Sequence, residues 1–168
     1  MKRVVFTSRM FKIEKEDMVI KGRRKTVERN LRPKTVVVVP LLGRDTVLLE
    51  RQYRPAIRKH IFELPAGIID AGEDAAHAAR REVEEETGCR PSRVKFLFKA
   101  HPSPGLSTEE QNYYLATGLK KTKIGLGEME VIKTTPVRVG RLLKMIKDNQ
   151  IADNKTIAGV LYFVNFVR

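Results

Sequence analysis

The run Val36-Val37-Val38-Val39, followed by Leu41-Leu42, has no charged break, so it predicts a buried strand. Gly43-Arg44-Asp45 then turns the chain into a second strand over residues 46–53. Shorter strands are predicted at 61–64, 67–70, 93–101, 111–118 and 129–134. Residues 10–29 contain extended stretches around Phe11-Lys12-Ile13 and Met18-Val19-Ile20. These are broken by Lys15-Glu16-Asp17 and by Lys21-Gly22-Arg23, the pattern of a small β-meander. A sheet that small has too little core to stand alone, so it is expected to pack on the main body or on a partner subunit.

Helical signals are confined to three places. Residues 74–87 are rich in Ala, Arg and Glu, lack Gly and Pro, and are closed by Gly88. Two more helices are predicted at 137–149, after Pro136, and at 155–166, behind the capping candidates Asp153 and Asn154. Strands and helices are interspersed without regular βαβ alternation. That favours an α/β (α+β) sandwich built on a mixed sheet over a doubly wound fold. Residues 1–33 read as the N-terminal meander and residues 34–168 as the main domain, with no repeat or Gly/Ser-rich linker between larger units.

With 168 residues, 42% hydrophobic and 32% charged, the chain has the composition of one folded domain rather than a disordered one. No apolar run approaches the roughly 18 residues of a spanning helix. The basic start Met1-Lys2-Arg3 is not followed by a signal-like apolar segment, and Cys89 is the single cysteine. Both features lead to the expectation of a cytoplasmic protein without membrane partners. The net charge is +13, made up of +11 over residues 1–60, −5 over 61–92 and +7 over 93–168. The basic excess reads either as a solvated surface or as attraction for polyanions. The acidic island carries the more specific signal.

On a helix turning about 100° per residue, Glu86 lies about 40° from Glu82 and Glu85 about 60° to its other side, while Glu84 points away. Three carboxylates therefore share one face, with Ala75 and Ala78 leaving space beside them. Like charges at these spacings repel, and burial would raise the penalty. Hard oxygen donors without a matching His or Cys set suit Mg²⁺, or alternatively Mn²⁺, and with it hydrolysis of a phosphate anhydride. The simpler account is an exposed face ion-paired to Arg80 and Arg81.

Gly67, Glu73, Arg81, Glu82, Val83, Glu85, Glu86, Gly88 and Cys89 follow the pattern Gly-x5-Glu-x7-Arg-Glu-U-x-Glu-Glu-x-Gly-U, where U is a bulky apolar residue. This resembles the Nudix box at every fixed position, with Cys89 a soft match at the last. The resemblance implies the Nudix fold, a mixed β-sheet between helices, and hydrolysis of a nucleoside diphosphate linked to another group. It also implies that Glu82, Glu85, Glu86 and the Ala66 carbonyl bind the metal. Arg81 would orient the glutamates, Glu73 would either support the ligands from behind or add a metal contact, and Gly67 would let the loop bend onto the site.

Two flanking segments, Glu50-Arg51-Gln52-Tyr53-Arg54-Pro55-Ala56 and Glu63-Leu64-Pro65-Ala66-Gly67, are similar to those of the ADP-ribose pyrophosphatase branch. So is Ser103-Pro104-Gly105-Leu106-Ser107-Thr108-Glu109. The expected substrate is thus ADP-ribose, cleaved to AMP and ribose 5-phosphate. Arg51 and Arg54 would bind its phosphate or ribose oxygens, Glu63 its adenine or ribose, and Gly105 would lie in the substrate loop. Tyr53 and Phe62 are candidates for base stacking or for core packing. The general base is expected at Glu128, in the glycine-hinged stretch 123–130, with Glu130 as the neighbouring candidate. Arg81 and Glu85 join Glu128 in the expected catalytic set.

A homodimer joined through the meander is also implied. The alternatives are a Nudix enzyme for NADH, a dinucleoside polyphosphate or a nucleotide sugar, or an RNA-binding or RNA-end-processing relative. No interleaved aromatic motif supports nucleic acid.

Overall fold

A computed structural model describes residues 2–8, 11–122 and 133–168 of the chain. Three antiparallel strands open it, β1 (Lys2–Thr7), β2 (Lys12–Ile20) and β3 (Arg23–Leu31), in the order β1-β2-β3. The outer sheet is a meander, but Lys15-Glu16-Asp17 does not interrupt it. Those residues stand inside β2 because Glu16 and Glu14 are neutralised by Arg29 of β3. The first strand, Lys2–Thr7, lies ahead of the stretch read as extended.

The main sheet is built from β4 (Thr35–Leu42), β5 (Thr46–Arg54), β6 (Lys59–Glu63), β7 (Ala66–Ile68), β9 (Arg93–Ala100), β10 (Gln111–Thr117) and β12 (Lys133–Arg138). A short ladder joins β8 (Cys89–Arg90) to β11 (Lys120–Lys121). Helices α1 (Ala75–Thr87), α2 (Val139–Lys147) and α3 (Asn154–Phe166) complete the described elements. The main order is β12-β5-β4-β10-β9, with β6 also paired to β5 and β7 to β4. β4 and β10 run parallel and their neighbours antiparallel, so the sheet is mixed.

Alternation along β4 explains why helices cover both faces. Val36 and Val38 pack with Ala78, Ala79 and Val83 of α1, whereas Val37 and Val39 pack with Leu142 and Met145 of α2 and Val160 and Phe163 of α3. All four valines are fully buried. The uninterrupted apolar run is thus the centre of a three-layer sandwich.

The last strand runs past its expected end at residue 134, and the second helix begins later than expected. Pro136 and Val137 belong to β12, and α2 starts only at Val139. Proline is tolerated because β12 is the edge strand, so one side of its backbone needs no ladder partner. Residues 129–132 of the strand expected at 129–134 lie outside the described residues.

Candidate metal and diphosphate site

Helix α1 begins and ends where its caps dictate. The Asp74 carboxylate accepts from the backbone N–H of Ala76 and His77 at 2.9 and 3.1 Å, and Gly88 closes the helix at φ 64°. An acidic N-cap contributes about 1 kcal/mol over alanine. The left-handed φ at the other end explains the glycine.

Between these caps Arg81 organises the acidic face. Its guanidinium donates to both oxygens of Glu73 at 3.0 and 2.9 Å, to Glu82 at 2.7 Å, to Glu85 at 3.2 Å and to the Ile68 carbonyl at 3.0 Å. The fork geometry of arginine makes this sharing possible. The Arg81 hydrogen bonds hold the Glu73 carboxyl at about 2, far below the usual range, despite an opposing effect of burial. Glu73 in turn lifts the guanidinium of Arg81 above its ordinary value.

The glutamates differ in setting. Glu82 is 8% exposed, and burial raises its pKa against the pull of Arg81. Its carboxylate lies over Gly67 so closely that any Cβ there would overlap it, which gives the glycine a steric reason. Glu85 is exposed at the helix surface. Glu86 accepts from the Ala66 backbone N–H at 3.0 Å, so the strand that carries the expected carbonyl ligand also holds one of the expected carboxylates.

Two further acids come from the sheet. Glu63 and Glu50 are paired directly across β5 and β6 and are 1% and 2% exposed. Glu63 takes both forks of Arg54 at 2.6 Å and is bonded to Lys155, which also pairs with Asp153 at 3.0 Å. Burial acts to raise the Glu63 pKa, but the Arg54 and Lys155 bonds hold it below the ordinary range. Glu50 meets Glu86 instead. Burial first, then the charge and hydrogen bond of Glu86, push its carboxyl up to about 10.

The fold therefore brings Arg81, Glu82, Glu85, Glu86 and Ala66 to one region. Arg54 and Glu63 form a bonded pair beside it, and Arg51 is exposed next to them on β5. Gly105 is exposed in the loop after β9, where Leu106 and Ser107 donate to the Ser103 carbonyl. Tyr53 is half exposed and packs on His60, with ring centroids 5.1 Å apart. Glu128 and Glu130 lie outside the described residues.

Glu50 and Lys155 escaped the sequence reading. A usable signal existed for Glu50: Val47-Leu48-Leu49 gives a strand buried on both faces, so an acid in the next position has no solvent to face. Lys155 offered none, since its partner lies 92 positions away.

Among the described residues no three His, Cys, Asp or Glu side chains converge tightly enough to hold an ion as they stand. The donor chemistry nevertheless fits a hard divalent cation. Glu82, Glu85 and Glu86 supply oxygens on one helix face, and the buried Glu50 Oε1 has no hydrogen-bond partner among the described residues.

The NUDIX domain model matches residues 31–154. The chain is 32% identical over 161 residues to the methanol dehydrogenase activator of Bacillus methanolicus, covering 94% of this chain and 87% of that protein. It is 27% identical over 164 residues to the ADP-ribose pyrophosphatase of Bacillus subtilis, covering 96% and 89% of the two chains. A crystal structure of an ADP compounds hydrolase has the same fold, with a TM-score of 0.88 at 24% identity over 99% of this chain and 91% of the other. With the box on α1, the mixed sheet between helices and a domain match over most of its length, this chain belongs to the NUDIX family.

Proposed function

We propose that this NUDIX protein is a pyrophosphohydrolase that cleaves the diphosphate of ADP-ribose to AMP and ribose 5-phosphate. It would use Mg²⁺, with Mn²⁺ as the alternative ion. The observation that carries the reading is the Arg81 fork, which fixes Glu73, Glu82 and Glu85 beside the Ala66–Glu86 hydrogen bond. Similarity to ADP-ribose pyrophosphatases from Bacillus subtilis and Mycobacterium tuberculosis supports the substrate.

Glu82, Glu85, Glu86 and the Ala66 carbonyl would hold the cation. When bound, the cation neutralises diphosphate charge and lowers the pKa of the attacking water. Arg81 keeps the glutamates aimed while its own charge offsets their repulsion. Arg54, locked onto Glu63, offers a fixed cationic edge, and Arg51 is the exposed guanidinium on the same strand. Both suit the anionic oxygens of a diphosphate. Glu128 is retained as the general base, and comparing Glu128→Gln with Glu130→Gln separates it from its neighbour.

A homodimer joined through the meander belongs to this reading. It is supported by the apolar side chains of Val4, Phe6 and Val19, which are 52%, 51% and 68% exposed. Sedimentation across a concentration series checks it. A cytoplasmic location is also part of the reading, supported by the single cysteine.

A second reading keeps the chemistry and changes the substrate to another ADP compound. It is favoured by the 24% identity over 159 residues to ADP compounds hydrolase NudE of Escherichia coli. Hydrolysis of ADP-ribose, NADH, diadenosine polyphosphates and nucleotide sugars at fixed Mg²⁺ decides between them. The first reading requires ADP-ribose to have the highest kcat/KM and fails if another substrate outranks it. Running the reaction in ¹⁸O water also identifies the phosphorus attacked.

A further inference from the structure

We propose that Glu50 is an additional cation ligand, presented from β5 to complete with Glu86 an oxygen cage around one divalent ion. The inference rests on the metal-dependent reading above and extends it from the helix to the sheet.

Three observations carry it. Glu50 is 2% exposed, and its Oε1 has no hydrogen-bond partner among the described residues. Alternation along β5 sends Val47 and Leu49 into the core shared with α2 and α3, so Glu50 projects to the opposite face, where α1 lies. There its carboxyl meets that of Glu86. The ladder reinforces the meeting: Thr134 is the β12 partner of Glu50, and its hydroxyl donates to the Glu86 carbonyl at 3.3 Å.

A buried carboxyl held against a half-buried one needs something positive between them. The cations nearby serve Glu63, which binds Arg54 and Lys155. A shared proton would bridge only one oxygen of Glu50 to one of Glu86, whose Oε2 already accepts from the Ala66 N–H. A divalent ion accepts several carboxylate oxygens at once, and oxygen is the donor such ions prefer.

The test is Mn²⁺ titration of the full-length protein without substrate, with free Mn²⁺ followed by electron paramagnetic resonance. Wild type, Glu50→Gln and Glu86→Gln are compared. Glutamine keeps the size of Glu50 and, like a protonated acid, can still donate to Glu86, so it preserves the shared-proton arrangement while removing the charge. The expected result is Mn²⁺ binding weakened about 10-fold or more by Glu50→Gln. Unchanged affinity in Glu50→Gln, alongside loss in Glu86→Gln, overturns the Glu50 assignment and leaves the metal reading standing. Failure of the wild type to bind Mn²⁺ overturns both. Should Glu50→Gln fail to fold, anomalous scattering from Mn²⁺ in wild-type crystals decides. A Glu50 oxygen within roughly 2.0–2.6 Å of the ion supports the assignment, and one beyond that range overturns it.

Discussion

Glu50 and Glu63 stand directly opposite each other across β5 and β6, both buried, in opposite electrostatic surroundings. Like charges in that register destabilise a sheet unless cations are supplied. Arg54 and Lys155 serve Glu63, so Glu63 is held ionised while Glu50, facing Glu86, is driven toward its neutral form.

This asymmetry predicts an unusual pH response of the metal-free protein. The Glu50 carboxyl is raised from 4.5 to about 10 on folding, so the folded chain keeps a proton that the unfolded chain releases. Its contribution is full below about 4.5 and is lost progressively as pH rises toward 10. In EDTA, Glu50→Gln should therefore unfold at a higher temperature than wild type at pH 9, by on the order of 3 °C or more, with the gap closing near pH 5. Calorimetry at the two pH values checks this, and a gap that widens on acidification refutes it.

Glu73 has the opposite sign. Its carboxyl falls from 4.5 to about 2 on folding because Arg81 bonds to it. The Glu73–Arg81 contribution is therefore present above about 4.5 and lost as pH falls toward 2. Glu73→Gln should flatten the acid limb of the stability curve between those values, as read by urea midpoints across the range.

Replacing Glu86 by Gln should lower kcat by roughly 100-fold or more, the scale on which loss of a catalytic electrostatic contact is felt. The far-ultraviolet circular dichroism should stay unchanged. Retained turnover would remove Glu86 from the site.

Gly67→Ala should be disproportionately harmful for one methyl group. A Cβ there overlaps the Glu82 carboxylate, which is also bonded to Arg81. The carboxylate can swing aside only by loosening its Arg81 bond, so stability should fall by about 1 kcal/mol while activity falls more steeply. Chemical denaturation and steady-state kinetics on one preparation test both parts.

Much of this arrangement was legible in the residues. The Val36–Val39 run announced a buried strand, and the spacing of Glu82, Glu85 and Glu86 announced a shared helix face, because both depend on local pattern. Asp74 and Gly88 marked the helix ends for equally local reasons. The boundary near Pro136 was misread because proline at a helix start and proline on an edge strand look alike until the edge is known. The bonds of Glu63 to Arg54 and Lys155, and the meeting of Glu50 with Glu86, depend on which strands become neighbours. Local pattern does not encode that choice.

The clasp between β3 and the loop that carries Gly105 has its own consequence. The Asn30 N–H donates to the Leu106 carbonyl at 2.7 Å, the Thr108 N–H returns to Asn30 at 3.0 Å, and the Arg32 N–H reaches the Thr108 hydroxyl at 2.9 Å. That loop is stitched to the outer ribbon as though it were one more strand of it. Peeling the ribbon away would carry the loop along, so truncating the first thirty residues should disturb a segment more than seventy positions downstream.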